Sequence, residues 1–223
     1  MLSRPIPQWI LLGGFVIACS AGAINAVGLL GVHHQALSHM SGPVTLLGSE
    51  IAQGESAAAL YTIWVIFSFF TGCVLSALIL RQEALKLGPD YGIVLLIESA
   101  ALIAACVLLQ RNHPAGGCLA ALACGLQNAM ATSYSGAVVR TTHMTGIITD
   151  LGITAGRALR GDPVDRRRTR LYLVLLSGFV LGGFAGSAAY FKIGYATLLF
   201  PATLLGVLGV GYFGFRYLKN PRL

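Results

Sequence analysis

The chain has 223 residues, of which 56% are hydrophobic and only 10% charged, and its mean hydropathy is +0.75. Soluble domains carry about 25% charged residues, so an ordinary soluble fold is excluded. The net charge of +7 is gathered in one loop and at chain ends; that is a membrane-topology signal, and no aromatic residues interleave with the cations as a nucleic-acid groove would need.

The first apolar block runs over 8–32 and holds one amide in its interior, Asn25. A spanning helix needs about 20 predominantly apolar residues, so this block is predicted to cross the bilayer. SHMSGPVTLLG follows at 38–48, heading a segment to residue 54 that contains Glu50 and Gln53. That segment is too short to cross and reads as a re-entrant or interfacial half-helix. Ser41, before Gly42, is predicted to be its N-cap, with Thr45 one turn on along the same side. Such a terminus at membrane depth suits an anionic group. His39 precedes the cap and is placed to bond a ligand, relay a proton or pin the backbone. The alternative is a purely conformational device in which Gly42 permits a bend.

Spans are predicted over 57–80 and 91–110. Glu98 is the acid in the middle of a span, and an intramembrane carboxylate is a functional candidate by default. It is a proton-coupling candidate, or else a neutral carboxyl bonded to a neighbour. The next span, 115–138, carries Gln127 and Asn128. Asn25 and Asn128 are read either as interhelical glue or as substrate contacts.

THMTGIITDLG at 142–152 then repeats the earlier motif. His143 matches His39, Thr145 is the expected cap, Gly146 matches Gly42, and Thr149 matches Thr45. Arg140 and Asp150 flank this copy; they are predicted to pair, or Arg140 binds an anion, with Asp150 a second proton-coupling candidate. GAINA at 22–26 is echoed by GLQNA at 125–129, and Gly72-x-x-x-Ser76-Ala77 by Gly183-x-x-x-Ser187-Ala188. The last spans are 171–190 and 193–215, after a basic loop at 157–170.

A repeat of this kind fixes the architecture. The expectation is one all-α membrane domain over 1–223, with six transmembrane helices as two three-helix repeats, 8–110 and 115–215. An odd number of spans per repeat inverts the second against the first. Six spans put every cation except Arg111 and Lys192 on one side, which makes both termini cytoplasmic. The five cysteines lie within apolar spans and read as core residues. No metal site, cofactor or catalytic constellation is predicted, so the chain is not read as an enzyme.

The motifs resemble those of the YoaK-like family of bacterial multi-pass membrane proteins, a family defined by a domain of unknown function. The likeness rests on GAINA and HMSGPVTLLG in the first half. In the second it rests on GLQNA and on the RTTHMTGIITDLG stretch, Arg140 to Gly152. It departs at Asn25 and Pro43, where relatives are expected to carry Asp and Asn. The resemblance implies a bacterial inner-membrane protein and supplies no substrate. The functional expectation is a secondary-transporter-like protein binding a small solute between the two motifs. A non-transporting scaffold or sensor is the alternative, and an integral-membrane enzyme ranks third. The lipid bilayer, an unknown solute and a possible homodimer are the expected partners, with no nucleic acid.

Overall fold

The structure, a computed structural model, describes residues 7–31, 33–80, 90–135 and 142–219. It is helical, with no strand among the described residues. The elements are α1 (Gln8–Leu30), α2 (Ser41–Ala52), α3 (Ser56–Ile79), α4 (Asp90–Gln110), α5 (Ala115–Ser135), α6 (Met144–Leu159), α7 (Arg166–Ile193), a 3-10 turn (Gly194–Leu198) and α8 (Leu199–Lys219). Four stretches are long and apolar enough to cross a membrane: α1, α3, α4 and the 48-residue run Arg166–Phe213, which holds α7, the turn and much of α8. α5 is diluted by glycines and by Gln127 and Asn128. No described side chain of α5 is exposed, so this helix meets other helices and has no need of a lipid-compatible face.

The bundle is inside-out relative to a water-soluble protein. Its core is rich in small residues, among them Ala18, Ala21, Ala23, Ala105, Ala120, Ala123 and Ala202. Its surface carries Leu60, Trp64, Phe67, Phe70 and Leu78 on α3, and Val180, Phe184 and Phe191 on α7. Exposed side chains of that size are costly in water and free of cost in hydrocarbon, where small residues drive helix contact by letting backbones approach.

Glycines set the closest contacts. On α7, Gly178, Gly182 and Gly186 lie against Phe15, Cys19 and Ala23 of α1. Gly22 of α1 lies against Phe179 and Gly183. On α3, Gly72 lies against Leu122 and Leu126 of α5, and Gly125 of α5 against Phe69 and Cys73. Residue numbers rise together along the α1–α7 contacts, so α1 runs parallel to α7. α3 runs parallel to α5, because Tyr61 is in electrostatic reach of Cys118 and, further along both helices, Cys73 Sγ lies 3.4 Å from the Gly125 carbonyl. The two sets also match residue for residue: Gly22 pairs as Gly125 does, and Gly182 as Gly72 does. The Gly72–Ser76 pair therefore corresponds to Gly182–Gly186. The sequence alignment onto Gly183–Ser187 is one residue off, because the two halves drift in register between the first and third helices.

α4 is antiparallel to α5, with Leu109 on Gly116, and antiparallel to α8, with Ser99 on Gly206 and Gly92 on Phe213. The end of α1 at Gly31 touches Tyr190 and Tyr195, and the 3-10 turn touches α4. One end of the bundle thus gathers the ends of α1, α4 and α7 with the starts of α3, α5 and α8. α2 sits at that end, between α1 and α3. α6 sits at the other, between α5 and α7.

Both short helices stop in the same way. Gly54 (φ 75°) follows α2 and Gly161 (φ 80°) follows α6. The amide of Glu55 donates to the Glu50 carbonyl, and that of Asp162 to the Arg157 carbonyl, the paired C-cap that a left-handed glycine allows. α7 begins earlier than the predicted 171, because the Asp165 carboxylate accepts from the amides of Arg167 (3.0 Å) and Arg168 (3.2 Å). That cap turns the second half of the basic loop into the first helical turn.

Candidate functional site

Each motif is held by an asparagine from the preceding helix. Asn25 is buried in α1, and its Oδ1 accepts from the amides of Leu37 (3.0 Å) and Ser38 (3.2 Å). Asn128, on α5, accepts from Thr142 Oγ1 at 2.9 Å. Ser38 and Thr142 are the first residues of the two motif copies, so the same helix position anchors the same motif position twice. A buried backbone amide must find an acceptor. Asn25 supplies that acceptor to two amides where the chain leaves regular structure, and Asn128 supplies one to the Thr142 hydroxyl.

Several motif residues take other positions than expected. Ser41 is not an N-cap: the cap position of α2 is Met40, with no capping side chain, and Ser41 already lies in the helix. Thr145 is not one either: the cap position of α6 is His143, again without a capping bond. The helices start one and two residues before the glycines, which removes both hydroxyls from the caps. Thr45 Oγ1 turns back to donate to the Ser41 carbonyl at 3.0 Å. Gly42 lies within helix α2. Gly146 has a local role, since its bare Cα lets the His143 ring lie over the first turn of α6. Ser41, Thr45, His143, Thr145 and Thr149 are all exposed. α2 packs on α3, α6 packs on α7, and the two do not touch. The structure therefore does not bring the two motif helices together.

Asp150 is held by α7. Its Oδ2 accepts from Tyr172 OH at 2.6 Å and from the Arg168 guanidinium at 3.0 Å. The pairing expected with Arg140 falls on a residue outside those described. Fixing α6 on α7 is the structural role this geometry gives Asp150.

A set of unsatisfied polar groups lies at the α2 end. Residues 35–38 are buried, although they form a loop. Gln35 Nε2 donates to Thr62 Oγ1 of α3 at 2.5 Å, while Gln35 Oε1 is left without a partner. Ser38 Oγ, His39 Nδ1, Tyr61 OH and Thr197 Oγ1 are buried and without a partner as well. The His33 ring lies tilted against Tyr61, with centroids 4.4 Å apart. Burial pushes the His39 pKa below the ordinary histidine value, so its ring is neutral at pH 7 and one nitrogen is free to accept. Gln35, Tyr61 and Thr197 carry no repeat and no motif, which hid them in the sequence. The available signal was a run of polar residues, His33 to Gln35, directly after a span.

In the core, Glu98 on α4 and Gln127 on α5 have no exposed surface, and neither has a hydrogen-bond partner. The cysteines are free thiols. No cluster of metal-ligating side chains occurs among the described residues.

A family model described as a protein of unknown function, DUF1275, matches residues 13–211, nearly the whole membrane bundle. The chain belongs to the DUF1275 family. No curated protein and no solved structure matches it. Membership in DUF1275 fixes the relationship and leaves the activity to be argued from the site. The narrower YoaK-like name and a bacterial origin are not part of the match.

Proposed function

We propose that this DUF1275 member is a secondary-transporter-like membrane protein of six spans in two inverted repeats, and that it binds a small polar solute at the buried loop between α1 and α2. The observation that carries the binding assignment is the group of partnerless polar atoms on Gln35, Ser38, His39, Tyr61 and Thr197. Buried polar groups are normally bonded, and a bound solute would satisfy these. The four apolar stretches supply five of the spans, α1, α3, α4, α7 and α8, and α5 is the sixth. The parallel pairs α1–α7 and α3–α5 support the inversion, because each joins the first span of one half to the second span of the other. Rocking of one pair against the other would give alternating access. The arginines of α6 and the start of α7 support a cytoplasmic position for that end, and the inner membrane of a bacterium is the compartment that the resemblance implies.

The test is flux into proteoliposomes, using a solute chosen by thermal-shift screening of amino acids, nucleosides and carbohydrates. Tyr61→Phe and Ser38→Ala each remove one hydroxyl and little volume. Each is expected to slow uptake about tenfold, the worth of one hydrogen bond, with the melting temperature unchanged. Thr149→Ala, on the exposed face of α6, is expected to transport as the parent does. Full uptake by both hydroxyl variants would remove the binding site from this loop.

A further inference from the structure

We infer that Glu98 and Gln127 form a proton-binding site in the core of the bundle, where the amide holds a carboxyl proton that exchanges with water when the helices part. α4 and α5 run antiparallel from the contact of Leu109 with Gly116. Glu98 and Gln127 lie about three turns from that contact, one along each helix, and so meet the shared interface at one level. Glu98 is in electrostatic reach of Cys124, about one turn from Gln127 on α5. All the terminal polar atoms of both side chains are buried and lack a partner.

A charge in such surroundings needs a counter-charge or a set of donors. None is offered. No charged residue occurs in α3, α5, the 3-10 turn or α8 up to residue 213, the elements packed on α4. Their titratable groups are thiols and phenols: Cys124, which faces Glu98, and elsewhere Cys118, Cys73, Tyr61, Tyr134, Tyr195 and Tyr212. The carboxyl is therefore neutral in this state and carries its proton. A carboxylic acid and a primary amide are complementary. When the two side chains turn towards each other, the acid O–H donates to Gln127 Oε1 and Gln127 Nε2 to the other acid oxygen; in this structure neither bond is made. Release passes the proton to water and leaves a carboxylate, which Nε2 continues to serve as donor. A hard metal cation asks for about six oxygens, whereas the two side chains offer two carboxyl oxygens and one amide oxygen beside a thiol.

The site deepens the transport reading by naming its coupling ion. It rests on that reading for the coupling alone, because protonation is measured without flux. The experiment is infrared difference spectroscopy of the full chain in lipid, parent minus Glu98→Gln, titrated from acid to alkaline pH. The expected result is a protonated-carboxyl band present at pH 7 and lost reversibly on alkalinisation. In Gln127→Leu its midpoint should move upward by about one pH unit, because the carboxylate loses its donor. An ionised Glu98 at pH 7 would overturn the inference. So would a band that never titrates, which makes Glu98 inert packing, or a band that sodium ions abolish at constant pH, which makes the site a cation site. If the band behaves as expected and no solute is carried, the proton site stands and the transport reading fails.

Discussion

Gly182→Ala is expected to destabilise the protein severely, while Gly13→Ala leaves it as stable as the parent. A Cβ at position 182 would strike the backbone carbonyl of Cys19, and one at Gly22 the carbonyl of Phe179. The same holds for Gly72 against Leu122 and Gly125 against Phe69. A backbone carbonyl cannot swing aside as a side chain can, so the helices must separate. Separation also weakens the neighbouring contacts at Gly178 and Gly186. Overpacking a rigid core costs about 1–3 kcal/mol, and these four positions belong at or above the top of that range. Gly13, Gly48 and Gly152 have open space where a Cβ would go, and each is helical, so alanine there gains helix propensity. Thermal unfolding in detergent separates the two sets. A shift below about 2 °C for Gly182→Ala would show that the α1–α7 contact is looser than described.

The second large effect falls on Asn25. Asn25→Leu keeps the side-chain size and removes the acceptor of two buried amides, Leu37 and Ser38. Each unsatisfied buried donor costs about 1–3 kcal/mol. The loop that presents Ser38 and His39 should then leave its place between α1 and α3. Asn128→Leu is expected to cost less, because it strands one hydroxyl of Thr142, which can rotate towards another acceptor. Asn25→Asp keeps an accepting oxygen and should retain most of the order. Hydrogen exchange at residues 37 and 38 reads this directly. Protection is expected in the parent and in Asn25→Asp and lost in Asn25→Leu. Equal protection in all three would mean that the loop is held by packing alone.

The course of the chain was largely legible because lipid imposes long apolar blocks. The boundaries at 8, 110 and 115 follow from charge and proline placement. The 166 boundary was missed because Asp165 lies within a run of cations that masked it as a cap. The repeat told where two equivalent anchors lie, and Asn25 and Asn128 hold equivalent positions. It misled at Ser41 and Thr145, since a hydroxyl before a glycine signals a helix start only to within a residue or two. The glycine ladder Gly178–Gly182–Gly186 was present in the sequence at every fourth residue. The Gly183–Ser187 pair matches the first half better by letter, and Gly182–Gly186 matches it by contact. Gln35, Tyr61 and Thr197 were not legible, because they lie on three separate stretches of the chain and no local pattern marks any of them.

The central claim is that the two halves lie in opposite senses, with α2 and α6 on opposite faces of the membrane. Gln53→Cys and Arg160→Cys place one exposed thiol beside each short helix. In intact cells a membrane-impermeant maleimide should label position 53 readily and position 160 only after the membrane is opened. Labelling of both positions from the same side would contradict the account.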